Sequence, residues 1–213
     1  MAPEYALEPV ERLSADAAGE VRRIYEAGFP AHLRTSFRDL TTGRQPGELT
    51  LALTQAGQPC GFGMLRPLGG TGWIFLRYFV VDAARRGGGL GTVFWDQLTS
   101  RLGAEGYTLL TFDVEDPAEP GCDRQEARIR SRRISFYLRQ GASLLPVHGY
   151  RTPPGEAGHR DWTPMLLMAA SLGAGQQVSA IPAGQIVTAV YRHRWLLAPD
   201  HPQVSDTVTA GQP

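Results

Sequence analysis

The chain has 213 residues, 42% of them hydrophobic and 20% charged, with 21 basic side chains against 21 acidic ones. These proportions describe an ordinary globular protein, and zero net charge argues against one built to coat nucleic acid or an anionic membrane, leaving room only for a local basic patch. No apolar run approaches the length of a membrane span, Met-Ala-Pro-Glu-Tyr lacks the layout of a secretory signal, Cys60 and Cys122 make no disulfide framework, and His32, His148, His159, His193 and His201 are too scattered for metal-ligand spacing. The expectation is a cytoplasmic protein with no metal and no nucleic-acid or membrane partner.

In chain order, residues 5–13 begin as a short strand, and Ser14 caps a helix with Ala17, Val21, Ile24 and Tyr25 at helical spacing. Gly28 and Pro30 end it, and a second helical piece is expected over 31–40. Leu49–Thr54 and Cys60–Leu65 flank the turn Ala56-Gly57-Gln58 as a hairpin. Trp73–Val81 is apolar on both faces, as a central strand should be. Glycines follow at once, and then Leu90, Val93, Phe94, Leu98 and Leu102 fall on one helical face. Tyr107–Val114 is a strand, Asp123–Gln140 a helix with six arginines, and Gly141 its C-terminal cap. Strands are expected over 142–147 and 164–170, and a last helix from Pro182 with Ile186, Val187, Val190 and Tyr191 inward. Strands alternate with helices only in the centre, so the sheet should be mixed. Residues 1–198 read as one domain and 199–213 as a disordered tail.

The strongest local signal is the run from Val80 to Thr92, where a buried strand enters a glycine-rich turn that opens a helix. Glycines let backbone approach a ligand, and the amides and dipole at a helix start attract an anion such as a pyrophosphate. Arg85 and Arg86 add positive charge. A P-loop would need Lys followed by Ser/Thr, and Leu90-Gly91-Thr92 has no lysine. A dinucleotide fingerprint needs a third glycine, and Phe94 stands in its place. A plain glycine-rich turn is the remaining alternative.

The run Arg86-Gly87-Gly88-Gly89-Leu90-Gly91 resembles the R/Q-x-x-G-x-G/A element of the GNAT superfamily of N-acetyltransferases. Downstream, Ile134-Ser135-Phe136-Tyr137-Leu138-Arg139-Gln140-Gly141-Ala142 is similar to that superfamily's second element. The resemblance spans roughly residues 49–170 and implies an α/β (α+β type) fold. Its mixed, mostly antiparallel central sheet would be splayed at the cofactor cleft and flanked by helices. It implies acetyl-CoA as co-substrate, with Phe79, Val80 and Val81 on the pantetheine arm. The amides of Arg86, Gly87, Gly88, Gly89, Leu90 and Gly91, with Thr92, would hold the pyrophosphate. Tyr137 would be the general acid toward the thioester sulfur, and the acceptor an amine of a small molecule or peptide. Late strands in such folds often pair across a homodimer. A non-catalytic acyl-CoA-binding protein of the same fold is the alternative.

Attack by an amine needs a base, and Asp113 and Glu115, on one face of the 107–114 strand end, are the candidates. Many relatives carry a glutamate earlier, but the strand Trp73–Val81 has no acid before Asp82. Arg77, mid-strand among apolar neighbours, would pair with Asp113, face the acceptor, or lie at the surface. Arg130 and Arg133 occupy positions where the family often has Asn and Ala. The arginines of this helix would hold an acidic acceptor or the 3′-phosphate of coenzyme A, or form a solvated face paired to Glu126 and Asp123.

Overall fold

In the computed structural model, residues 4–29, 34–42, 45–154, 161–173 and 177–210 are described. The expected helix positions 31–33, with His32 among them, and His159 lie outside them. The fold is α/β, with a mixed, mostly antiparallel sheet flanked by helices. Two compact units divide it, one drawn mainly from Met1–Arg66 and Leu76–Leu102, the other from Pro67–Phe75, Gly103–Pro154 and Arg160–Pro213.

In the first unit, β1 (Tyr5–Pro9), β2 (Leu49–Gln55) and β3 (Gln58–Pro67) form an antiparallel meander that continues to β4 (Trp73–Val81). The helix α1 (Ala15–Gly28) starts where Ser14 accepts the Ala17 amide at 3.3 Å, satisfying one of the donors every helix start leaves over. With the short α2 (Phe37–Thr42), it covers one sheet face. There Val21, Ile24, Tyr25 and Leu40 join Ala52, Phe62, Met64, Tyr78 and Val80 in one core. The opposite face receives α3 (Leu90–Ala104). Gly61 and Gly63 make the seat for Phe94: a Cβ at either would stand 3.0–3.2 Å from its ring. Phe79 stacks on that ring with centroids 4.6 Å apart. Strand glycines thus fix the helix that follows the glycine-rich loop.

In the second unit, the first three residues of β4 pair in parallel with β5 (Leu109–Glu115), through Trp73–Leu109, Ile74–Leu110 and Phe75–Thr111. β5 pairs antiparallel along its whole length with β8 (Thr163–Ser171), which also carries the two-residue strands β6 (Ser143–Leu144) and β7 (Arg151–Thr152). α4 (Arg124–Arg139) begins at Asp123, whose carboxylate accepts the amides of Gln125 and Glu126 at 2.8 and 2.9 Å. α5 (Ala183–Ala189) runs on into a π-helical turn, Val190–Arg194. A core of Phe75, Leu109, Leu167, Ile186, Val187, Val190 and Tyr191 forms on the side of β5 that Leu109 faces.

Two expectations need correction. The strand expected over 142–147 stops at Leu144, because the Val147 amide turns back onto the Leu145 carbonyl at 2.8 Å across Pro146, which has no N–H to give a ladder. Within the expected disordered tail, residues 202–210 form a helix, α6 (Pro202–Ala210), with Val204 and Thr207 buried. Among the described residues no helix is long and apolar enough to cross a membrane.

Candidate active site

The glycine loop belongs to the first unit. Asp82, buried at the end of β4, accepts the Ala84 amide at 3.1 Å and an Arg23 guanidinium at 3.0 Å. Residues 83–89 are exposed, and Leu90 returns the chain to the core. Gly87 and Gly89 have φ of 89° and 79°, a conformation that side chains disfavour by about 1–2 kcal/mol. A Cβ at either would meet nothing, so conformation rather than crowding demands glycine there. The first intrahelical bond of α3 is Val93 N–H to the Gly89 carbonyl at 3.1 Å. The amides of Leu90 and Gly91 precede it and belong to the positive end of the helix. Arg86 is exposed, and Arg85 reaches Gln55 at 3.2 Å. An exposed, cationic, amide-rich loop between two buried anchors suits a phosphate group.

Arg77 finds its partner in its own unit, where its guanidinium lies 3.2 Å from Glu48. Arg66 takes the same carboxylate at 2.6 Å, and the Gln45 amide donates to its other oxygen at 2.8 Å. The pairing with Asp113 offered from sequence therefore gives way to Glu48, which stands just before β2.

The second unit holds Tyr137, Asp113 and Glu115, and strand alternation puts Phe112, on which Tyr137 packs, on the face of β5 opposite Asp113. Tyr137 packs on Phe112 with ring centroids 4.4 Å apart and is buried. Burial pushes its hydroxyl up to about 12, against the opposing pull of Arg133. Asp113 faces the other side of β5, where it accepts the Tyr150 hydroxyl at 3.1 Å. Glu115 is bound by Arg133 and lies 3.7 Å from Arg130. Arg130 also takes Glu119 at 2.6 Å, Glu126 at 3.2 Å and the Asp116 carbonyl at 2.8 Å. Pairing to Glu126 was expected, whereas Asp123 serves as the helix cap. Sequence reading gave no site role to Tyr150 or to Trp195, whose indole N–H donates to the Tyr150 hydroxyl at 3.0 Å. The two lie 45 positions apart, so no local pattern joins them. Both cysteines are free, and burial raises the Cys60 thiol.

Residues 18–123 match the model of the acetyltransferase (GNAT) family. The fold is shared with a protein assigned to that family from Bacteroides thetaiotaomicron, at 19% identity and a TM-score of 0.67 over 91% of this chain and 99% of that one. It is shared with the ribosomal-protein-S18-alanine N-acetyltransferase of Escherichia coli, at 19% identity and a TM-score of 0.53 over 82% and 98%. An aminoglycoside 6′-N-acetyltransferase solved with coenzyme A gives 17% identity and a TM-score of 0.60 over 81% and 99%. No curated protein matches the chain in sequence. The chain belongs to the GNAT acetyltransferase family.

Proposed function

We propose that this protein transfers an acetyl group from acetyl-CoA to an amine of a small molecule or peptide. The observation that carries the reading is the exposed Arg86–Gly91 loop, with left-handed Gly87 and Gly89 running into the start of α3. Arg86 to Gly91, with Thr92, would hold the pyrophosphate, and Phe79–Val81 would offer backbone groups to the pantetheine arm. The β4–β5 ladder has three register pairs, and β4 runs six residues past the last of them, which supports this use of Phe79–Val81.

Acetyl-CoA supplies an acetyl group already activated as a thioester. Tyr137 would give its proton to the departing sulfur, and its burial keeps that proton in place at any physiological pH. A strand amide would polarise the carbonyl. Asp113 would take the proton of the attacking amine. Between the two candidate bases, geometry favours Asp113: the Glu115 carboxylate is engaged by Arg133 and lies 3.7 Å from Arg130, whereas Asp113 accepts the Tyr150 hydroxyl at 3.1 Å.

Titration calorimetry with acetyl-CoA, and with analogues lacking the 3′-phosphate, tests the loop. Binding in the micromolar range is expected, abolished in Gly89→Glu, which would put a carboxylate against the phosphates. No binding at millimolar ligand would refute the reading. Thiol release across a panel of aminoglycosides and N-terminal-alanine peptides tests the transfer. Tight binding with no release from any amine would favour the non-catalytic alternative.

A further inference from the structure

We infer that the C-terminal helices are a positioning device for Asp113, acting through Tyr150; the inference rests on the proposed role of Asp113 as base. Residues 178–210 lie beyond the 18–123 stretch matched by the family model. They nonetheless surround Tyr150, whose hydroxyl holds that carboxylate. The Trp195 indole N–H donates to the Tyr150 hydroxyl at 3.0 Å, and this hydroxyl donates to Asp113 Oδ2 at 3.1 Å. The direction of both bonds is forced, because an indole N–H can only donate and an ionised carboxylate can only accept. Tyr150, with its only proton spent on Asp113 and a lone pair taken by Trp195, has one orientation available. Burial first, and then the neighbouring Asp113, hold its hydroxyl well above its ordinary value, so it remains a donor.

Two further sets of contacts fix this relay in place. The flanking backbone is clamped: the Tyr191 hydroxyl accepts the Arg151 amide at 3.1 Å and donates to the Arg151 carbonyl at 3.0 Å. On the other side, the Gln203 amide donates to the Gly149 carbonyl at 3.0 Å. The indole is clamped in turn, with the Arg194 guanidinium 4.0 Å from its ring centroid and 5.5 Å from that of Phe75. Tyr191 and Trp195 both come from the π-helical turn and its cap, a rare geometry that recurs at functional sites. A neutral donor chain aims the carboxylate and adds no charge of its own. Among the described residues, the ionisable side chains beside Tyr150 are Asp113 and Tyr191; Glu115, two residues along the same face of β5, carries the two arginines of α4.

The test needs no known acceptor. In the full-length 15N-labelled protein, the Trp195 indole resonance is assigned by its disappearance in Trp195→Phe and followed from pH 8 to pH 3. It should shift with a single midpoint as Asp113 gains a proton, and that shift should vanish in Asp113→Asn and in Tyr150→Phe, with folding of each variant checked by its melting temperature. An indole resonance that does not titrate, or that titrates unchanged in Asp113→Asn, overturns the inference. The reading beneath it fails separately: if the indole responds as expected but Asp113→Asn releases thiol as fast as the parent on an active amine, Asp113 is positioned but is not the base. With such an amine, Tyr150→Phe should lower kcat at least tenfold, move the acid limb of its pH profile, and leave the KM for acetyl-CoA unchanged.

Discussion

Tyr137 stands one turn from the end of a helix whose outer face is largely arginine, yet its ring is buried against Phe112. Its motif made it legible in the sequence; its burial was not, because that depends on a strand 25 positions earlier. Tyr137→Phe keeps the packing and removes the proton, so under the proposed general-acid role kcat should fall about 100-fold. Affinity for acetyl-CoA should stay within about threefold by calorimetry. The same burial makes a stability prediction. An unfolded tyrosine ionises near pH 10 and the folded one near pH 12. The folded state therefore holds more protons between those values, and stability falls as pH rises through the window, by about 2–3 kcal/mol for this group. Urea unfolding at pH 9 and pH 11.5 should show the parent losing about 2 kcal/mol more than Tyr137→Phe, since the upper pH stops short of the folded value. The loop glycines separate in a like manner. Gly89 needs glycine for its φ of 79°, whereas Gly88 has no left-handed φ and open space where a Cβ would go. Gly89→Ala should cost about 1 kcal/mol of stability, and Gly88→Ala less than about 0.5, by thermal melts.

Helices and strands with a strong period of their own were legible: β4 falls on the expected span, and Ser14 and Gly141 stand at the expected helix ends. The arginines of α4 were legible as a set and opaque one by one, because their partners lie in the preceding loop. Arg130 gathers Glu115, Glu119, Glu126 and a backbone carbonyl, while Arg124, Arg128, Arg132 and Arg139 are exposed. Arg130 is thus a staple that ties residues 116–123 to the helix. Arg130→Ala would leave three carboxylates facing one another without it. The expected cost is about 1–3 kcal/mol, since partly buried charges lose their partner. Hydrogen exchange at Glu119 and Cys122, whose amides close the loop's turns, should quicken. Arg128→Ala, on the exposed face, should change neither.

At the scale of the whole molecule, the sequence yields the nucleotide-type loop and the central strands but hides the second unit's closure. That unit takes Pro67–Phe75, Gly103–Pro154 and the C-terminal segment, and a contact that joins residues so far apart leaves no local pattern. Residues 199–213 read as a tail because they are polar, with few apolar positions to betray a helix. Those few matter: Val204 enters the core beside Ile186 and Tyr191, and Thr207 is buried beside the Tyr191 hydroxyl at 3.3 Å. Burial of a valine side chain stabilises by about 1.5–3 kcal/mol, and the side-chain bonds of Gln203 and Thr207 to the Gly149 carbonyl add to it. Removal of residues 199–213 should therefore lower the melting temperature by several degrees, where a disordered tail would leave it unchanged. Val204→Asp in the intact chain should produce a similar loss, by burying a charge without a partner. Asp206→Asn, at an exposed position of the same helix, should leave the melt where it was. If the truncated and parent proteins melt together, α6 contributes nothing to the fold, and the clamp on Gly149–Arg151 rests on Tyr191 alone.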